Sequence, residues 1–202
     1  MRRPRSALRR IGTSGARPEV RIVGIDDGPF GRGRTGLVQV VGAIYRGGQF
    51  LDGMVATRVR RDGRNATARL VDMLRGSRYF PQLHYVMLDG IALGGFNVVD
   101  IDRLWRETGL PVLVVVRRRP DMDAVRRALS RLPAWQARWR LVLKAGEVEE
   151  IGGLFVQRAG LDCDEASALL ALSCTRARIP EPLRAAHIIA GALVTGEGGR
   201  RP

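Results

Sequence analysis

A chain of 202 residues can bury one sizeable core, and 45% hydrophobic with 27% charged residues is the balance of a soluble globular protein. No apolar run approaches the ~20 residues of a membrane span and the basic N-terminus lacks a signal peptide's apolar stretch, so a cytoplasmic protein without a membrane partner is expected. Thirty-four basic against 20 acidic residues give a formal net charge of +14, which points to a polyanionic partner.

Residues 1–19 carry six Arg against one Glu without hydrophobic periodicity, and read as a disordered basic arm; residues 196–202 read as a disordered tail. Residues 20–195 between them are expected to form a single domain. Residues 20–26, about 35–45 and about 50–60 are rich in Val and Ile with Gly-containing connections, which predicts three strands in an antiparallel meander. Apolar Ala66, Leu70, Val71 and Leu74 follow at helical spacing within Asn65 to Arg75. A fourth strand is expected over about 83–89 and a helix over about 100–108. The continuous apolar run from Leu110 to Val116 suits a strand buried on both faces of a parallel sheet. A helix over 121–132, strands at about 138–144 and 149–157, and helices at about 163–176 and 181–194 complete the chain. Three meandering strands followed by βα units predict an α/β fold with a mixed sheet of the ribonuclease H-like kind, in which the first and fourth strands lie side by side.

Both of those strands end on an acid followed by a Gly turn: Ile22-Val23-Gly24-Ile25-Asp26-Asp27-Gly28 and Tyr85-Val86-Met87-Leu88-Asp89-Gly90. Adjacent strand ends would bring Asp26 and Asp89 together as oxygen ligands for a hard divalent cation, Mg²⁺ or Mn²⁺. On a basic chain such a centre suits phosphodiester chemistry. Asp27 adjoins the pair but should point to the other face. Asp62 stands near the start of the first helix, where it is either a third ligand or a helix-end acid. Asp162 opens the penultimate helix, where capping competes with a fourth ligand role. For nucleic-acid contact the candidates are Arg32 and Arg34 in a Gly-rich connection and Arg117-Arg118-Arg119 at the end of the fifth strand, since a guanidinium grips phosphate with two donors.

Other patterns carry less. Gly31-Arg32-Gly33-Arg34-Thr35-Gly36 satisfies G-x-G-x-x-G, yet it leads into a strand where a dinucleotide fingerprint must open a helix. Cys163 and Cys174 show no metal-ligand spacing. The three Trp suit core packing, and His84 and His187, each without a partner at metal spacing, suit structural roles.

Three segments, Ile22 to Gly28, Leu88-Asp89-Gly90-Ile91 with Gly95 to Ile101, and Pro180-Glu181-Pro182-Leu183-Arg184-Ala185-Ala186-His187, together resemble the archaeal endonuclease dU family, a relative of endonuclease V. The resemblance covers about residues 20–195. It implies a ribonuclease H-like fold and metal-dependent cleavage of DNA near deaminated bases, deoxyuridine in particular, as in DNA repair. It also places Asp26 and Asp89 at catalytic carboxylate positions. Two departures stand out. Asn65 occupies the place where endonuclease V carries Glu and related sequences carry Asp, so either Asp62 substitutes or the metal site is weaker. A Pro-Tyr-Ile-Pro type wedge is absent. Two other classes compete: a catalytically silent nucleic-acid-binding protein on the same fold, and a nucleotide phosphotransferase, for which the single half-length fold argues poorly.

Overall fold

The structure, a computed structural model, describes residues 20–31 and 36–199. At its centre is β1 (Arg21–Asp27), whose side chains alternate between two cores because a strand projects successive residues to opposite faces. Val23 and Ile25 enter one core with Leu70, Leu74 and Leu104, while Ile22 enters the other with Leu169 and Leu183. β2 (Leu37–Arg46) and β3 (Phe50–Arg60) run antiparallel on one side of β1. β4 (Tyr85–Asp89) lies parallel to β1 on the other side, and β7 (Val112–Val116) lies parallel to β4. This is the meander followed by parallel units that the sequence predicts.

The hairpin of β8 (Glu149–Ile151) and β9 (Leu154–Ala159) closes the seven-stranded sheet, in the order β3-β2-β1-β4-β7-β9-β8. The single strand expected over 149–157 is thus two strands turning at Gly152-Gly153. A separate small hairpin, β5 (Ala92–Leu93) with β6 (Asn97–Val98), follows β4 and has no counterpart in the predicted elements.

Helices cover both faces. α1 (Ala66–Arg75) and α2 (Ile101–Thr108) pack on the face of Val23 and Ile25. α5 (Cys163–Ser173) covers the other, and α6 (Glu181–Thr195) lies beside it across β1 and β2. α3 (Met122–Leu129) and α4 (Trp135–Lys144) form a lobe with the small hairpin through Val98, Leu129 and Val142.

α4 corrects the strand expected at 138–144. The alternation Arg138-Trp139-Arg140-Leu141 imitates a strand, but Trp135, Trp139 and Val142 lie at helical spacing in one apolar cluster. Buried Arg138 fixes the helix by donating to the carbonyls of Phe96 (3.1 Å), Pro133, Asp62 and Gly63 (3.3 Å). Lys144 then ties the end of α4 to Asp100 (2.8 Å) and Asp102 (3.2 Å) at the start of α2.

Candidate metal centre

The register of β1 on β4 pairs Gly24 with Met87 and Ile25 with Leu88; one step further it sets Asp26 opposite Asp89. Both acids project to the face covered by α6, since each is two residues on from a residue of that face. Asp89 can end its strand sharply because Gly90 turns the chain at φ 78°, a conformation that Gly adopts without strain.

The third member comes from α6. At Gly24 the helix backbone rests on the strand: a Cβ there would lie 2.3 Å from the Pro182 carbonyl carbon. Only a residue without a side chain permits that approach, and it brings His187 down onto the acids. His187 Nδ1 lies 2.7 Å from Asp26 Oδ2, and ligand atoms of Asp26, Asp89 and His187 all fall within 4.8 Å of one another. The expectation that His187 has no partner at metal-ligand distance is therefore corrected. The signal was present in the Ala185-Ala186-His187 segment, but a separation of 161 residues from Asp26 hides the pairing.

The electrostatics are those of acids short of positive charge. Burial, then the charges of Asp89 and Asp27, push the Asp26 carboxyl up to about 8, against the opposing pull of the Asp27 N–H and Arg117. The Asp27 N–H donates to Asp26 Oδ1 at 2.8 Å. Asp27 itself is raised to about 6, mainly by burial and less by Asp89, with the Gly94 N–H and His187 pulling the other way. Asp89 is also raised by burial, opposed by Arg117 and His187. Asp27 thus stays within the field of the pair, although it lies on the other face of β1. Clustered groups with such displaced titration mark functional sites more often than structural ones.

The remaining candidates stand elsewhere. Asp62 lies at the same sheet edge, but its Oδ1 accepts from the Phe96 N–H (2.8 Å) and its Oδ2 pairs with Arg61 Nε (3.6 Å), so it clasps the loop of the small hairpin. Asn65 Oδ1 accepts from the Arg60 N–H (3.1 Å) and Asn97 Nδ2 (2.8 Å), holding the entry to α1. Neither joins the three-residue cluster. Asp162 is corrected outright as a fourth ligand. It caps α5, accepting from the Glu165 N–H (2.8 Å) in a capping box. Since β9 pairs Ala159 with Val112 at the start of β7, Asp162 sits at the opposite edge of the sheet from Asp89, whose partner is Val115 near that strand's end.

The arginines of 117–119 diverge. Arg117 stands near enough to lower both Asp26 and Asp89, whereas Arg119 stacks its guanidinium 5.3 Å from the Phe155 ring, and Arg118 is exposed. Arg32 and Arg34 lie outside the described residues. His84 is structural, its Nδ1 accepting from the Arg21 N–H (3.0 Å).

Two carboxylates on adjacent strand ends and an imidazole from α6 lie within ligand reach on a ribonuclease H-like fold, and form a candidate metal centre. The fold is shared with endonuclease V of Ciona intestinalis, solved with a 24mer DNA containing an inosine followed by a ribo-adenosine: TM-score 0.51 at 14% identity, covering 83% of this chain and 82% of that one. The family model for endonuclease dU matches residues 18–194, and the chain belongs to that family. A UPF0215 protein of Methanothermobacter thermautotrophicus is 50% identical over 183 residues, covering 89% of this chain and 90% of that one. A protein of unknown function from Archaeoglobus fulgidus superposes with TM-score 0.82 at 40% identity, covering 88% of this chain and 99% of its own. Relatives occur in bacteria as well as archaea.

Proposed function

We propose that this protein is a divalent-metal-dependent DNA endonuclease that cleaves beside deaminated bases, with deoxyuridine its principal target. The observation that carries the reading is the cluster of Asp26, Asp89 and His187 in a member of the endonuclease dU family. The donor set fits a cation: two carboxylate oxygens suit Mg²⁺ or Mn²⁺, the imidazole nitrogen favours the softer of the two, and the acids lack compensating charge.

When bound, such an ion lowers the pKa of water and stabilises charge on a phosphate under attack. Asp26 and Asp89 would hold it from two rigid strand ends. His187 would orient Asp26 through its Nδ1 or join the ligands directly. Arg117 would meet a phosphate of the strand laid across the acids, with Arg118 supplying charge nearby. Asp62, Asn65 and Arg138 would keep the loop of the small hairpin in place beside the centre. Asn65 Oδ1 accepts from the Arg60 N–H and Asn97 Nδ2, so it holds the entry to α1 and supplies no ligand to the centre.

The test is cleavage of end-labelled oligonucleotides, each with one deaminated base, in Mg²⁺ or Mn²⁺. Deoxyuridine that is unpaired or mispaired should be cut faster than deoxyuridine opposite adenine, because unstacking a base costs least where pairing is already lost. Thymine controls should be spared. Asp89→Asn should lower the rate by at least about 100-fold, given the several kcal/mol that a metal supplies to such a step. Equal cutting of thymine-only DNA would remove the deoxyuridine assignment, and full activity in Asp89→Asn would remove the centre.

A further inference from the structure

Beyond the acids, the same sheet edge carries a cavity of about 580 Å³, the size of ordinary small-ligand sites. Its lining includes Phe30, Leu37, Leu193 and Val194 together with Arg58 and Arg61, and among the described residues no acid lines it. Leu37, Leu193 and Val194 are exposed by 61%, 58% and 48%, and Phe30 by 40%. Large apolar side chains left open around a cationic wall are not core residues. Together with the guanidinium groups they offer contacts for a flat apolar ring that carries negative charge beside it.

Phe30 is held ready for such a role. The Arg61 guanidinium lies 4.9 Å from its ring centroid and also donates to the neighbouring Gly31 carbonyl. Arg58 is steadied by Gln39 Oε1 at 3.3 Å, and Gln39 in turn donates to the Thr57 carbonyl at 3.2 Å. Those contacts occupy the amide that would read a base edge, so recognition here is by stacking and charge, which tolerates any base.

Two elements, β1 with the turn after it and α6, carry residues of both the cavity and the metal centre. Gly28, two residues after Asp26, packs under α6 at Ala190 and Val194. Val194 follows His187 by seven residues on that helix, which places it about 10 Å further along, roughly three stacked nucleotides at about 3.4 Å each.

We propose that this cavity is a stacking subsite for an unpaired base of single-stranded DNA a few nucleotides from the bond to be cut. The inference rests on the nuclease reading for the strand's path past the acids, and it makes single-stranded or locally opened DNA the substrate class. Fluorescence anisotropy in EDTA, with a short labelled thymidine oligonucleotide and an otherwise identical strand lacking bases, tests it without any cleavage step. Phe30→Ala should weaken binding of the base-bearing strand about tenfold, Phe30→Trp should restore it, and the abasic strand should bind wild type and Phe30→Ala alike. Thermal melts of both variants should match wild type, since Phe30 is partly exposed. Undiminished binding in Phe30→Ala, an equal loss on the abasic strand, or tighter Phe30-dependent binding of the matching RNA would each overturn the assignment. If instead no metal supports cleavage while binding depends on Phe30 as stated, the subsite stands and the nuclease reading falls.

Discussion

Asp26 combines burial with two acidic neighbours, and that combination makes stability depend on pH. Its carboxyl keeps a proton up to about pH 8 in the folded state, against 3.8 for the free side chain. Between about pH 4 and pH 8 the folded chain therefore binds more protons than the unfolded one, and stability falls as pH rises through that window. Asp27, raised to about 6, acts in the same direction. Asp26→Asn removes the charge that the site resists. At about 1.36 kcal/mol per tenfold change in proton affinity the full effect is at most about 6 kcal/mol; relaxation of the site reduces it, so about 2 kcal/mol, or some 4–8 °C in Tm, is expected at pH 8.5 in EDTA. At pH 4 the two proteins should melt together, and cleavage should be lost in the variant at every pH. Melting curves at both pH values decide; a variant less stable than wild type at pH 8.5 would mean that the Asp26 charge is compensated in the fold. At this scale the sequence is partly legible. Asp26 and Asp89 stand out because a strand end and a Gly turn are local patterns. Asp62 and Asp162 are ambiguous because an acid at a helix start has the same local pattern whether it caps, clasps a loop or binds metal.

The element that makes the centre three-sided is α6, and its seat on β1 depends on Gly24. The His187–Asp26 contact spans 161 residues and exists because helix backbone approaches the β1 chain closely, at Gly24 and again at Gly28. Periodicity shows that residues 181–194 form a helix; it does not show which strand the helix crosses, so His187 has no visible partner in the sequence. Gly24→Ala should push α6 outward, since the new methyl meets backbone, which cannot rotate away. Overpacking of this kind costs about 1–3 kcal/mol, and cleavage should fall with it, because His187 leaves Asp26. His187→Ala should lower activity by about 10–100-fold, the usual effect of losing a residue that orients a ligand, while leaving Tm near that of wild type. Comparing melts and rates for the two variants separates the seat from the side chain it positions. Wild-type Tm and activity in Gly24→Ala would show that α6 slides freely on the sheet. The α4 lobe teaches the complementary lesson: its residues alternate like a strand, and only the cluster around Trp135, Trp139 and Val142, with Arg138 bound to backbone carbonyls, selects the helix.

Across the whole molecule, the excess of basic residues bears on how DNA is held before any chemistry occurs. The meander and the parallel strands beside it were readable, because three Val- and Ile-rich runs with short connections leave few alternatives to a meander, and a doubly buried run such as Leu110 to Val116 belongs inside a parallel sheet; the β8–β9 hairpin at the edge was not. Charge is readable too, but only as a total: the sequence does not tell which arginines face the strand and which, like Arg119 on Phe155 or Arg138 on backbone carbonyls, are committed within the fold. Salt dependence of binding counts those that reach phosphate, at about 0.9 of log–log slope per contact. The six arginines within residues 1–19 contribute to that count only if they touch DNA. Deleting residues 1–18 should therefore weaken binding to undamaged duplex and flatten its salt slope by up to about five, while the rate of deoxyuridine cleavage at saturating DNA stays that of the full chain. The slope is measured by titrating labelled duplex at a series of salt concentrations in EDTA. An unchanged slope after truncation would place the phosphate contacts wholly on the folded body, with Arg58, Arg117 and Arg118 the first residues to substitute next.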